Sequence, residues 1–436
     1  MAVEGDRDGP AVPLLEEEIG SCSSSCQVHP PRNHARDVHI LSLAFLFVFS
    51  AYGAAQNLQS TVNTEEDLGT TSLGILYLSF TFFSVVASPV VRVLGSKFVL
   101  VLGTTGYFLF IASNLKPSWY TMVPASLYLG FTASIIWVGQ GTYLTSAAFS
   151  HAEDCHLHEG TVIGNFNGEF WGVFANHQVI GNLFSLVLLH GGKEGDNLSR
   201  KNLLFTIFLC CTVIGIALMC FLSKRNDKES NPAPYSSFGS VLKYVVSPLL
   251  DKQMLLIIPL IVYSGLQQAF VCAEFTNKVV TPALGISGVG GAMAIYGAAD
   301  AICSLAAGKL TSGFYSITLL VYGGASLHII VILWLLLGYS LTSGVVGYIY
   351  PLLMSIFWGI GNGVFNTQLS ALLGILYKHE KEAAFAQLKL WQSAAIALIF
   401  FLSPYLTLEA MLIGLLVTLC IALLAFFYAT LRTDGS

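Results

Sequence analysis

Of the 436 residues, 54% belong to the apolar set and only 10% are charged, against about 25% in soluble domains. One bilayer helix takes about 20 apolar residues, so a chain of this length, with a mean hydropathy of +0.69, has room for twelve plus tails and loops. This composition excludes a soluble enzyme, a nucleic-acid binder and a disulfide-stapled secreted domain, and a net charge of −5 adds little.

Residues 1–37 are polar and include the acidic run Glu16-Glu17-Glu18. That composition cannot build a core and is expected to be a disordered tail. Its two cysteines, Cys22 and Cys26, read as unmodified tail thiols. The first apolar run begins near Val38, after residues of both charges, and reads as a first span rather than a cleaved leader. Six spans are expected at about 38–58, 72–94, 98–114, 119–147, 161–190 and 202–222. A polar central loop, 223–252, follows. Six more spans fall at about 254–275, 288–310, 316–338, 345–371, 383–404 and 410–431, before a short tail at 432–436. Cys210, Cys211, Cys220, Cys272, Cys303 and Cys420 lie in the apolar runs, where cysteine behaves as a small hydrophobe. No disulfide framework is expected.

With the N-terminus placed in the cytosol, 14 Lys and Arg fall on the inner side and 5 on the outer. The positive-inside rule then puts both termini in the cytosol. Asn197-Leu198-Ser199 becomes an outward-facing glycosylation sequon. The two sets of six spans also echo one another. Gly139-Gln140-Gly141-Thr142-Tyr143 matches Gly361-Asn362-Gly363-Val364-Phe365 at an offset of 222, and Glu169-Phe170-Trp171 matches Lys389-Leu390-Trp391 at 220. Phe49-Ser50-Ala51 and Tyr263-Ser264-Gly265 form a third pair. Similar offsets between corresponding spans predict two parallel six-helix halves, 38–222 and 253–431. This is an all-α membrane protein with the organisation of the major facilitator fold.

The phosphate-loop, zincin, nucleophile-elbow and dinucleotide signatures are all missing, so neither catalytic residues nor a cofactor are expected. Gly288, Gly290 and Gly291 miss the dinucleotide spacing and read as a small-residue surface for helix packing. The loop residues His151, Cys155, His156 and His158 are a weak metal candidate, since their spacing fits no fixed zinc pattern. A solvated hinge is the preferred reading of that loop. Glu274 has Lys278 four residues on, an ordinary interfacial helix pair.

Charge inside hydrocarbon is expensive and usually functional. Asp300 lies about mid-membrane in span eight. Glu169 lies in span five, nearer the cytosolic edge, and Lys389 in span eleven. With Gln56 and Asn57 near the outer end of span one, these are the candidate cavity or gating residues. Glu169 and Lys389 precede Trp171 and Trp391 by the same step. Either they pair across a central cavity, or Lys389 snorkels to the headgroups while Glu169 bonds a neighbouring helix.

Several stretches carry a family likeness: Asn57-Leu58-Gln59-Ser60, Ser72-Leu73-Gly74-Ile75-Leu76-Tyr77, Trp137 to Thr145, Phe170-Trp171-Gly172-Val173-Phe174 and Asn366-Thr367-Gln368-Leu369-Ser370. From about 40 to 430 the chain resembles the uncoordinated-93-like family, specifically its plant members, a branch of the major facilitator superfamily. The resemblance implies a regulatory subunit of an ion channel, with potassium handling among the implied roles, or an escort for another membrane protein. The loop Arg92-Val93-Leu94-Gly95-Ser96-Lys97 lacks the acid that ordinary facilitators carry there, which favours a non-transporting role. Asn362 stands where the resemblance leads one to expect an acid. Three functions follow as expectations: a non-enzymatic channel or transporter regulator, a secondary and proton-coupled carrier of a small solute or ion through Asp300 and Glu169, and a trafficking chaperone. The expected surroundings are the bilayer and a channel or other membrane protein, or a small solute or ion, with no nucleic acid.

Overall fold

The computed structural model describes residues 33–62, 68–189, 197–225, 251–338, 345–403 and 405–434. The expected disordered tail falls almost entirely outside them, as do most of the central loop and the side chains of Asn57 and Asn197. The described residues are overwhelmingly helical. The bilayer offers no water to satisfy a backbone N–H or C=O, so each spanning segment must satisfy its own.

The first half contains α1 (His34–Val62), α2 (Leu68–Leu94), α3 (Ser96–Ser113), α4 (Trp119–Asp154), α5 (Glu159–Leu189) and α6 (Asn197–Cys220). In the second, α7 (Lys252–Phe270) continues through widened π-helical turns at Val271–Val280. It is followed by α8 (Thr281–Leu310), α9 (Phe314–Leu337), α10 (Val345–Leu376), α11 (Lys381–Leu402) and α12 (Leu408–Asp434). Length and hydropathy alone mark 11 segments among the described residues as able to cross a membrane. Helix α5 is the exception, because Asn165, Asn167, Glu169, Asn176, His177 and Gln178 dilute it.

Helix ends follow local chemistry. Ser118 caps α4 by accepting from Thr121 N at 3.3 Å, while Thr121 Oγ1 accepts from Ser118 N at 3.1 Å. This reciprocal pair satisfies two donors the helix start would leave open. Asp251 caps α7 by accepting from Gln253 N at 3.0 Å. The seventh span runs past its expected end near 275 because the wide turns keep Glu274 and Lys278 helical. Those two form an ion pair at 2.8 Å, and Ser403 also bonds Glu274. The helical path beyond this span is interrupted at Gly285, with φ 75° and ψ 171°, a conformation open to glycine and strained for other residues.

Packing repeats between the halves. Helix α1 packs on α5 and α6, as α7 packs on α11 and α12; α2 and α3 pack on α4, as α8 and α9 pack on α10. The contacts that join the halves obey the same symmetry: α5 meets α8 as α11 meets α2, and α5 meets α10 as α11 meets α4. The expected pseudo-two-fold is therefore present in the packing itself.

An even number of spans puts both chain ends at one end of the bundle, here called the terminal end. There the halves close. Gly160, Gly164, Gly168 and Gly172 form a four-residue repeat along α5 that faces Ser312, Thr311, Gly308 and Leu305 at and beyond the end of α8. A Cβ on Gly168 would meet Gly308 Cα at 2.6 Å and Ser304 O at 2.8 Å, so only glycine lets the backbones approach this closely. On the other side of the seam Gly141 of α4 faces the Phe385 ring of α11. Lys378, after α10, bridges to Glu159 at 2.6 Å and lies over the Phe149 ring at 4.3 Å. The glycines Gly290 and Gly291 do not pack on another helix as expected. Nothing lies within 4 Å of where their Cβ would stand, and Gly290 instead borders an open space between the halves.

A second polar cluster ties the terminal end of the first half. Arg225, just after α6, donates to Asp37 Oδ2 at 2.8 Å and contacts His34 Nδ1 at 2.5 Å. Tyr143 donates to the same Asp37 oxygen at 3.1 Å, and Ser223 donates to Asp37 Oδ1 at 3.1 Å. His34 also reaches Asp154 at 2.8 Å. Arg225 and Asp37 are almost fully buried.

Candidate functional site

Above the closed seam, towards the far end, the halves part around a cavity of about 540 Å³. That size suits a small-molecule site. Its walls come from α1–α5 of the first half and from α7, α8, α10 and α11 of the second.

The two walls differ in chemistry. The first half supplies mainly aromatic surface. Phe49 and Trp137 lie 5.1 Å apart, Trp137 stacks on Trp171 at 5.8 Å, and Phe174 sits 4.3 Å from His177. Tyr52 and Tyr107 meet edge to face at 5.0 Å. Such rings bury apolar area while fixing orientation. Trp171 also donates its indole N–H to Ser370 Oγ at 3.1 Å, which anchors the floor to α10.

The second half supplies the charge. Asp300 of α8 is 7% exposed. It accepts from Asn362 Nδ2 at 2.7 Å and from Ser304 Oγ at 3.0 Å. Asn362 in turn accepts at Oδ1 from Gln267 at 2.8 Å and Gln268 at 3.3 Å. Lys389 of α11 is also 7% exposed. It donates to Gln392 Oε1 at 2.8 Å and lies over Trp137 at 4.5 Å and Trp171 at 5.6 Å. Indole faces attract a cation but do not neutralise it.

Of the candidate residues, Asp300, Lys389 and Gln56 line this cavity. Gln56 donates to the Tyr77 hydroxyl at 2.9 Å, linking α1 to α2. The backbone of Asn57 lies one residue further along α1, but its side chain is outside the described residues. Glu169 is not part of the lining. It pairs with His39 on α1, on a face where His39 is 62% exposed. The pairing of Glu169 with Lys389 across the cavity is therefore corrected. Lys389 does not snorkel either, since it is buried against Gln392 and two indoles.

The weak metal candidate does not converge. No group of three or more His, Cys, Asp and Glu suited to a metal occurs among the described residues. His151 stacks on Phe166 at 5.4 Å and lies 3.7 Å from Cys155 Sγ, while His156 and His158 are exposed. The cavity residues missed by sequence reasoning are chiefly Trp137, Gln268 and Gln392. Intramembrane amides are a usable signal, because a buried amide needs partners.

Comparison with known proteins supplies a family likeness. The family described as "Ion channel regulatory protein UNC-93" matches residues 60–427. UNC93-like protein 3 of Arabidopsis thaliana is 59% identical over 424 residues, which is 96% of this chain and 89% of that protein. Protein unc-93 homolog A of Homo sapiens is 30% identical over 427 residues, with 90% and 92% covered. The Caenorhabditis elegans protein named "Putative potassium channel regulatory protein unc-93" is 31% identical over 423 residues, covering 88% of this chain and 59% of its own length. Among solved structures, the human organic anion transporter MFSD10 has a TM-score of 0.66 at 13% identity, with 92% of this chain and 100% of that chain covered. The transporter FucP in the outward conformation has a TM-score of 0.65 at 11% identity, with 91% and 99% covered. Both share the fold, a major facilitator bundle.

Proposed function

We propose, from the premise that the chain belongs to the UNC-93 family, that it is a non-enzymatic multi-pass membrane protein regulating a partner ion channel. Potassium channels are the first class to examine. The likeness to the nematode relative, whose name is that of a potassium channel regulator, supports this reading. Co-expression with potassium channels in oocytes tests it. The expected result is at least a twofold change in current amplitude, together with capture of the channel on the purified protein. Unchanged currents and no captured channel subunit would overturn it.

One observation favours a second reading, a secondary carrier of a small solute. The cavity is walled by both halves, closed at one end, and holds the buried carboxylate of Asp300 and the buried ammonium of Lys389. In reconstituted vesicles a proton gradient should drive uptake, and Asp300→Asn should abolish it while the protein still elutes as a folded monomer or oligomer. Absence of flux under both proton and sodium gradients removes the carrier.

In both readings the termini face the cytosol. The excess of basic residues at the terminal end supports that orientation. If the sequon at Asn197 is used, glycosidase treatment should raise gel mobility, and Asn197→Gln should abolish the shift. An epitope in the 223–252 loop should be reached only after permeabilisation. Labelling of that loop on intact cells would reverse the orientation.

A further inference from the structure

The charged groups of the cavity are the two ends of one polar chain. From Lys389 the chain passes to Gln392, whose Nε2 donates to Ser264 Oγ on α7 at 3.4 Å. Gln267, one turn further along α7, donates to the Ser264 carbonyl at 3.3 Å and to Asn362 on α10 at 2.8 Å. Asn362 donates to Asp300 on α8. The chain thus crosses four helices of the second half, with an ammonium at one end and a carboxylate at the other.

Neither end neutralises the other. No ion pair joins Lys389 to Asp300, and among the described residues Lys389 has no carboxylate within ion-pair reach and Gln392 as its hydrogen-bond acceptor. An ammonium has three protons to place, and burying it without a counter-charge is costly. Asp300 is better supplied, with two donors, but among the described residues both are neutral and no cation pairs with it. A lone anion would satisfy Lys389 and be repelled by Asp300. A lone cation would meet the reverse. A molecule carrying both charges, spaced apart, answers both ends at once, and its uncharged middle would lie against the aromatic wall opposite.

We propose that the cavity binds a zwitterion with spaced charges, its ammonium at Asp300 and its carboxylate at Lys389, joined by a methylene or aromatic body. The proposal rests on the carrier reading only in treating the cavity as a binding site. Equilibrium binding does not require transport, so a failure of flux and a failure of binding remain separate results.

The test uses the purified full-length protein and reads tryptophan fluorescence, to which Trp137 and Trp171 contribute beside Lys389. Probes are glycine, γ-aminobutyrate and ε-aminocaproate, which space the two charges progressively, with caproate and hexylamine as single-charge counterparts. ε-Aminocaproate should bind at least tenfold more tightly than caproate, hexylamine or glycine. Lys389→Met should lose that tenfold advantage and leave hexylamine binding unweakened. Asp300→Asn should lose it and leave caproate binding unweakened. Size-exclusion profiles and thermal melting establish that both variants are folded. The proposal is overturned if caproate or hexylamine matches the zwitterion in the wild type. It is equally overturned if folded single variants keep the advantage, or if the folded wild type binds none of the zwitterions.

Discussion

Gly168→Leu should abolish recovery of monodisperse protein, and Gly168→Ala should destabilise it by about 1–3 kcal/mol, the usual range for overpacking. The neighbour that an added Cβ would strike is backbone, Gly308 Cα at 2.6 Å and Ser304 O at 2.8 Å. A side chain can rotate aside, whereas two packed backbones can yield only by moving apart. Separation of α5 from α8 would also open the contacts of Gly164 with Thr311 and Gly172 with Leu305. Gly323→Ala on α9 is the matched control, since nothing lies within 4 Å of its Cβ position. Thermal melting in detergent distinguishes the two sites. Equal melting temperatures for Gly168→Ala and Gly323→Ala would show that the close approach contributes nothing.

Arg225→Met should be the next most damaging change, at about 3–5 kcal/mol, because it leaves a buried carboxylate without its cation. Asp37 is 5% exposed by side chain and Arg225 is 4%. Tyr143 and Ser223 would still donate to Asp37, but neutral donors do not replace a guanidinium. The double variant Asp37→Leu, Arg225→Met removes both charges and should recover most of the loss, as an apolar pair of similar bulk often does. A double-mutant cycle on melting free energies measures the coupling. Additive losses within about 0.5 kcal/mol would mean that the pair is not coupled.

Much of this architecture is legible in the sequence. The apolar runs mark the spans, and the glycine and tryptophan echoes mark the halves. Intramembrane charge identified Asp300 and Lys389, both of which line the cavity. Glu169 shows where such reading stops. Trp171, which lines the cavity, stands two residues beyond Glu169. A helix turns about 100° per residue, so those two residues amount to more than half a turn. With Trp171 turned inward, Glu169 is carried round to the face where His39 stands. Segment α5 is polar on several sides, so composition does not tell which side faces inward. The four glycines of α5 are visible as a four-residue repeat, but their partner Gly308 lies about 140 residues away, and only packing by small residues across helices brings it to the seam. Similarly, Arg225 reads as one more basic residue of a cytosolic loop until the fold buries it on Asp37 and Tyr143.

The unlike walls of the cavity bear on how any rocking of the halves would treat an occupant. Both charged groups of the lining lie on one half, Asp300 on α8 and Lys389 on α11, while the opposing half offers chiefly flat rings. Rings hold a molecule by area, and area contacts slide at little expense compared with the breaking of an ionic bond. A passenger fastened through Lys389 and Asp300 would therefore travel as cargo of the second half. The first half would act as the moving shutter, wiping past the passenger rather than handing it over. In such a machine the two repeats, alike in their backbone packing, have become rider and door.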